Sequence, residues 1–138
     1  MVFGDRIELK TKGFSDIIDI SASVQGILNA SRMKAGIVNI TVIGSTASVT
    51  TIEFEPALVA DMQELLEKFA SRNMRSRHSQ TWGDDNGFSH LRASFIGPGI
   101  TVPFENGRLI LGTWQQIVVV DHDNRPRQRL INIQAVGE

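Results

Sequence analysis

The sequence predicts an α+β fold, with mostly antiparallel β-sheet layers and two helices. Three observations lead to this prediction. Strand-like and helix-like segments alternate in the order strands, helix, strands, helix, strands. Asn106-Gly107 is a strong signal for a tight hairpin turn, because both residues tolerate a positive φ. Ile117–Val120 then supplies four consecutive β-branched residues, which indicates a strand covered on both faces.

The first half of the chain provides strands on either side of a first helix. Apolar and polar residues alternate in Val2–Lys12, which predicts a half-buried strand, and Gly13 separates it from a second extended segment, Phe14–Ile20. Ser21 is expected to cap a helix that ends at Lys34–Gly36, since a serine hydroxyl can accept a free backbone N–H.

The second helix has the clearest pattern in the chain. It follows two predicted strands, Gly36–Ile43 and Val49–Glu55, and Pro56 suits its first position because a proline lacks an N–H. Its apolar residues recur at helical spacing. They are Leu58, Val59, Met62, Leu65, Leu66 and Phe69.

The rest of the chain is expected to be a long loop followed by strands. Ser71–Ser89 shows no hydrophobic periodicity, and a loop of that length is usually functional or disordered. Strands are then predicted at Leu91–Ile96, at Ile100–Phe104 before the Asn-Gly turn, and at Arg129–Val136.

Composition limits the class of protein. The 138 residues fit one domain, residues 1–138, and the absence of cysteine excludes disulfides and Cys-based zinc sites. A net charge of −1 argues against nucleic-acid binding driven by the overall charge of the protein. No apolar run reaches the roughly 20 residues that span a bilayer, and Met1–Lys12 lacks the apolar centre of a signal peptide. A cytoplasmic protein without nucleic-acid or membrane partners is expected.

Two histidines and a carboxylate mark the long loop. His78, His90 and Asp84 could together hold a zinc-like ion, since imidazole and carboxylate are both suitable ligands. The twelve-residue gap between the histidines is not a recognised ligand spacing, and single histidines are more often surface groups. His122, in the predicted turn Asp121–Pro126, is expected to be solvated.

Other polar residues are candidates for acid–base or anion chemistry. Glu53 would be a possible acid or base if it faced inward, and a solvated strand residue otherwise. Gly44–Ser48 could leave backbone N–H groups free for an anion, although it lacks the pattern of a phosphate loop. Arg125, Arg127 and Arg129 alternate, which suits either an anion site or a charged edge strand.

The segment between the Asn-Gly turn and the apolar strand combines a bulky side chain, hydrogen-bond donors and a flexible backbone. Gly112, Thr113, Trp114 and Gln115 would suit the edge of a ligand site or a subunit contact. A bulge beside a packed tryptophan would explain them equally well.

Several of these segments, in this order, resemble the YjbQ-like family of uncharacterised proteins (UPF0047), to which secondary thiamine-phosphate synthase activity has been attributed. The matching segments are Ile18-Asp19-Ile20-Ser21, Gly36-Ile37-Val38, Ser45-Thr46-Ala47, Glu53-Phe54-Glu55-Pro56, Gly83-Asp84-Asp85-Asn86-Gly87, His90-Leu91-Arg92-Ala93-Ser94, Gly107-Arg108-Leu109 and Leu111-Gly112-Thr113-Trp114-Gln115, with Arg127 and Arg129 after them. The resemblance covers nearly the whole chain.

The resemblance implies a homotrimer with clefts between subunits that hold the shared polar residues. A phosphorylated small molecule is expected there, and a divalent metal such as zinc or magnesium. The implied catalytic residues are His90 and Glu53; the implied ligand-binding residues are Ser45, Thr46, Asn86, Trp114, Gln115, Arg127 and Arg129; the implied metal ligands are His78, His90 and Asp84. Many members carry histidine where this chain has Gly44. An enzyme and a non-catalytic trimer that binds a metal or an anion are therefore both open.

Overall fold

Eight strands and four helices follow one another along residues 1–138, all of which the computed structural model describes. In chain order they are β1 (Val2–Thr11), β2 (Asp16–Asp19), α1 (Ser21–Ser31), β3 (Ala35–Ile43), β4 (Ala47–Ile52), α2 (Pro56–Phe69), α3 (Arg77–Trp82), α4 (Gly87–Ile96), β5 (Gly99–Glu105), β6 (Arg108–Leu109), β7 (Gln116–Asp121) and β8 (Arg127–Gly137). The α+β class with antiparallel sheets is confirmed, but the helices number four instead of two.

The larger sheet has five strands in the order β1-β8-β3-β5-β6. Strand β8 pairs antiparallel with β1 on one side and with β3 on the other, so it is an inner strand. The interpretation of Arg127 and Arg129 as charges that protect an edge strand is therefore wrong, because both lie in β8. Arg125 precedes the strand and is exposed.

The smaller sheet has three strands in the order β2-β7-β4, with β7 in the middle. Ile117 and Val119 of β7 face the core shared with α1 and the larger sheet, whereas Val118 and Val120 pack with Leu66 of α2. All four β-branched residues of β7 are at most 2% exposed. The prediction of a strand covered on both faces is confirmed, because the smaller sheet lies between the larger sheet and α2.

The Asn-Gly turn joins β5 to β6, as predicted. Asn106 and Gly107 adopt φ angles of 53° and 73°, the positive values that favoured these two residue types. Strand pairing begins directly beside the turn, where Glu105 lies opposite Arg108.

The two predicted helices form, with one difference in how they begin. Helix α2 starts at Pro56, and the Glu55 carboxylate accepts the backbone N–H of Ala57 at 3.0 Å. Helix α1 starts at Ser21, but that hydroxyl accepts the N–H of Ile117 at 2.8 Å and does not cap the helix. The serine therefore ties α1 to β7. The helix ends at Ser31, earlier than predicted.

Two further helices occupy the segment predicted as loop and strand. Helix α3 lies inside the predicted loop, and Leu91–Ile96 belongs to α4, so its assignment as a strand is wrong. The buried face of α4 combines Phe88 with polar or small residues such as Ser89 and Arg92, and this mixture hides the helical period. No helix has both the length and the apolar character that crossing a membrane requires.

Candidate functional site

The two short helices bring the predicted histidine pair together. His78 lies in α3 and His90 in α4, and their ring centroids are 4.5 Å apart with the planes tilted by 58°. The Ser76 hydroxyl caps α3 by accepting the N–H of Ser79, and Gly83 ends the helix with φ at 70°. The chain can therefore turn back within a few residues and place one imidazole against the other.

Asp84 and Asn86 complete this histidine cluster, which we define as His78, Asp84, Asn86 and His90. Asp84 Oδ2 lies 3.5 Å from His78 Nε2. The Asn86 amide, oriented to suit its neighbours, donates to Asp84 Oδ1 at 3.0 Å and reaches His78 Nε2 at 3.2 Å. The cluster thus contains every residue predicted from the long loop.

The predicted metal ligands do not fit a metal site as they are arranged. His78, His90 and Asp84 are neighbours, but no group of three or more His, Asp or Glu side chains converges as metal ligands would. The facing atoms of His78 and Asp84 are instead engaged by the Asn86 amide. This arrangement supports no chemical step through a metal.

His90 is connected to the segment between β3 and β4. Burial lowers the pKa of His90, and the neighbouring His78 lowers it further. Asp84, Asp123 and a hydrogen bond with the backbone of Ser45 oppose this change without cancelling it. The imidazole is consequently neutral at pH 7, with a nitrogen free to accept a proton.

A buried network of charges lies next to this segment. Arg129 is 3% exposed and pairs with the fully buried Asp121, its Nε donating to Oδ2 at 2.7 Å and its Nη2 to Oδ1 at 2.9 Å. Burial would raise the pKa of Asp121, but hydrogen bonds from Arg129 and Thr11 outweigh it and lower the pKa. The carboxylate therefore stays charged inside the protein.

A second ion pair extends this network. Arg127 Nη1 donates to Asp123 Oδ2 at 3.0 Å. The Thr46 hydroxyl accepts from Arg129 Nη2 at 2.6 Å and donates to Asp123 Oδ2 at 2.9 Å. The side chains of Thr46 and Arg127, both predicted to bind ligand, thus have partners within the chain.

His122 is buried, and the expectation that it is solvated is wrong. Its Nδ1 lies 2.8 Å from Ser15 Oγ and its Nε2 lies 2.8 Å from Ser48 Oγ. Burial and then the positive charge of Arg92 lower its pKa to about 4. Arg92 also donates to Ser15 Oγ at 3.1 Å, which leaves the serine proton for His122. Its position directly after the buried β7 was the one sequence signal for its burial.

The remaining predicted residues lie in a separate place. Trp114, Gln115 and Glu53 line an open cleft of about 430 Å³, and Trp114 is 69% exposed. Gln115 Nε2 donates to Thr51 Oγ1 at 3.0 Å. Glu53 is exposed just beyond the end of β4, so the inward orientation considered for it does not occur.

The cleft and the histidine cluster lie near opposite ends of the same two strands. Strands β4 and β7 pair from Ala47 with Asp121, beside the Ser45 segment, to Ile52 with Gln116, beside the cleft. Five residue steps along the strand separate these ends by about 17 Å. Within one chain, the structure therefore does not bring Trp114 and Glu53 to His90.

The sequence interpretation also missed polar residues of the site region. Asp121, Asp123 and Arg92 are buried and charged, and each has a charged partner. Glu67, the partner of Arg92, is distant in the sequence, whereas Arg127 and Arg129 were interpreted as an anion site or as charges on an edge strand. Only the run of acidic residues directly after an apolar strand hinted at Asp121 and Asp123.

The chain matches a known family over nearly all its length. The family model described as UPF0047 protein YjbQ-like covers residues 5–138. A UPF0047 protein of Methanothermobacter thermautotrophicus is 34% identical over 137 residues, which cover 99% of this chain and 94% of that protein. YugU of Bacillus subtilis, also a UPF0047 protein, is 32% identical over 133 residues, covering 95% and 97%.

Solved structures agree with these relatives. A YbjQ-like protein of unknown function from Sulfolobus solfataricus superposes with a TM-score of 0.94 at 33% identity, covering 100% of this chain and 99% of the other. A YjbQ/UPF0047 family protein from Clostridium acetobutylicum has a TM-score of 0.88 at 28% identity, covering 96% and 99%. The fold is therefore shared across bacteria and archaea.

Proposed function

The chain belongs to the UPF0047 family of YjbQ-like proteins, and on that premise we propose that it binds a phosphorylated small molecule at the histidine cluster, as a homotrimer. Thiamine-phosphate synthesis is proposed as a weak secondary activity of this site. One observation carries the proposal. His78 and His90 are twelve residues apart in the sequence, but their ring centroids lie 4.5 Å apart. The two imidazoles have different neighbours: His78 lies beside Asp84, whereas His90 is partly buried against the Ser45 segment.

Two imidazoles with different neighbours can contact different groups of one ligand. His90, whose pKa is lowered by burial and by His78, is the candidate neutral imidazole that contacts the ligand. His78 Nε2 lies 3.5 Å from Asp84 Oδ2, so this second imidazole has a carboxylate neighbour and would contact a different part of the ligand. In thiamine-phosphate formation, the ring nitrogen of a thiazole phosphate bonds to the methylene carbon of a pyrimidine diphosphate, and pyrophosphate leaves. This bond formation removes no proton from either substrate, so the histidines would act by positioning the substrates and the departing diphosphate.

Exposed apolar side chains support the homotrimer. Ile37, Ile43 and Val136 of the larger sheet are 46–50% exposed, and Phe95 of α4 is 76% exposed beside Phe69 of α2. Surfaces of this kind often mark contacts between proteins.

A ring of copies would also complete the site. In a head-to-tail ring, each copy presents one surface to a different surface of its neighbour. We propose that in such a ring the Trp114 cleft of one copy faces the histidine cluster of the next, since a single chain keeps the two apart.

A non-catalytic homotrimer that binds an anion or a metal is the second candidate. The position of Glu53 favours it, because this proposed catalytic carboxylate lies in the cleft with Trp114 and away from His90. Catalysis within one chain would then depend on the histidines alone.

An assay of product formation separates the two candidates. Purified protein is supplied with the pyrimidine diphosphate, the thiazole phosphate and Mg²⁺, and wild type is compared with His90→Ala and Glu53→Ala. Misplacing a substrate by about 1 Å can lower a rate by about 10²-fold, so His90→Ala should fall towards background if His90 positions the substrate. Glu53→Ala reports whether the cleft takes part. Equal rates in all three proteins would identify a contaminating enzyme and favour the non-catalytic trimer.

A further inference from the structure

One guanidinium nitrogen of Arg129 has no acceptor in the chain. Its Nε and Nη2 donate to Asp121 and Thr46, whereas Nη1 makes no hydrogen bond. Every fully buried side-chain nitrogen and oxygen in the protein has a partner. Although the side chain is only 3% exposed, Nη1 must therefore touch solvent. It is a donor of fixed charge and fixed position that faces an opening.

Gly44 forms that opening. A Cβ built on Gly44 would lie 2.8 Å from Arg129 Nη1, too close for an ordinary contact. The glycine also adopts a φ of 143°, which other residues rarely do. A side chain at this position would cover Nη1, so the bare Cα leaves the guanidinium accessible from outside.

Further donors without partners lie in the same segment as Gly44. The backbone N–H groups of Gly44, Ser45 and Thr46 have no acceptor in the chain, and the exposed Ser45 hydroxyl makes no hydrogen bond. Gly44 and Ser45 also form one wall of a small open pocket of about 190 Å³ against α4. Free donors without acceptors favour a ligand group that presents several acceptor oxygens.

We propose that Arg129 Nη1 and the Gly44–Thr46 segment form a subsite for a phosphate group, with Gly44 as the residue that determines access. The assignment rests on the proposed function, and it locates the phosphate of the ligand beside the histidine cluster, which His90 joins through the Ser45 backbone. Charge-assisted hydrogen bonds from a guanidinium to phosphate are among the strong ones. The carboxylates of Asp121 and Asp123 balance the two arginines, so the subsite relies on directed donors more than on net charge.

Titration with inorganic phosphate, followed by ¹⁵N NMR at constant pH and ionic strength, tests the subsite. Phosphate should shift the Arg129 side-chain signal and the amide signals of residues 44–46. Gly44→Ala should weaken binding by about tenfold or more, the effect of losing a hydrogen bond to a charged group. Gly107→Ala is the matched control, because Gly107 also has a positive φ but its Cβ would meet only Met33 O at 3.6 Å.

Three results would overturn the subsite. They are unchanged phosphate affinity in Gly44→Ala, wild-type shifts confined to other residues, and an equal response to acetate or chloride. The second result is measured on the wild type, so it can be obtained even if Gly44→Ala does not fold. Failure of the proposed function would give a different combination of binding and turnover. Phosphate bound at Arg129 without any turnover would reject catalysis and keep the subsite, whereas turnover without these shifts would keep catalysis and reject the subsite.

Discussion

The buried imidazole of His122 should make the protein lose stability as the pH falls from 7 to 5. Its pKa is lowered from 6.5 to about 4 in the folded protein, because burial and the charge of Arg92 disfavour the protonated form. In the unfolded chain the pKa returns to about 6.5. Between these values the unfolded state binds a proton that the folded state does not, so acidification favours unfolding.

The size of the effect follows from the two pKa values. A difference of about 2.5 pKa units corresponds to roughly 3 kcal/mol once the pH reaches 4, and about 2 kcal/mol is lost by pH 5. The window from pH 7 to pH 5 lies above the titration of the buried Asp121, because its pKa is lowered below its ordinary value of 3.8. His90 changes in the same direction, since its pKa is also lowered, so a comparison of variants is needed.

Urea unfolding at pH 7 and at pH 5, at one protein concentration, measures the free energy of unfolding. His122→Gln keeps a polar side chain between Ser15 and Ser48 but cannot titrate. Wild type should lose about 2 kcal/mol more than this variant between the two pH values. An identical pH dependence in both proteins would refute the assignment of a neutral, buried His122.

Three further predictions concern the ion pair, the assembly and the metal. Arg129→Met should lower the free energy of unfolding by about 3–5 kcal/mol, because it leaves the buried Asp121 without its partner, whereas the exposed Arg125→Ala should change it by no more than about 0.5 kcal/mol. Similar effects of both substitutions in urea unfolding would contradict the buried pair. Light scattering should give about three times the chain mass of 15.2 kDa; a monomer at micromolar concentration would reject the trimer. Elemental analysis of untagged protein tests the metal implied by the family: metal retained in full by His90→Ala would remove His90 from its ligands.

Local chemistry specifies many elements of the fold. Asn106-Gly107 forms the predicted turn because its positive φ is a local property of those two residues. Pro56 begins α2 for an equally local reason. The apolar run Ile117–Val120 lies between two covering layers, as four consecutive β-branched residues predict. Helix α4 was missed because its buried face includes Arg92, whose partner Glu67 lies in a different helix.

The histidine cluster could be predicted in part. His78, Asp84, Asn86 and His90 come from one segment of the chain, so their proximity follows from a short turn between helices. Trp114 and Glu53 were grouped with them through the family resemblance alone, and pairing of β4 with β7 separates them by the length of a strand.

The sequence by itself determined the family, the antiparallel α+β class, the turn and the doubly covered strand, because each depends on residues close together in the chain. Tertiary structure alone decided which charges are buried and which donors remain free. Sequence alone would place Arg129 and Asp121 at the surface, and only the packing of β8 beneath the end of β7 removes them from water. The same packing leaves Arg129 Nη1 open beneath Gly44. A side chain's partners and solvent access depend on strands distant in the sequence, which periodicity does not encode.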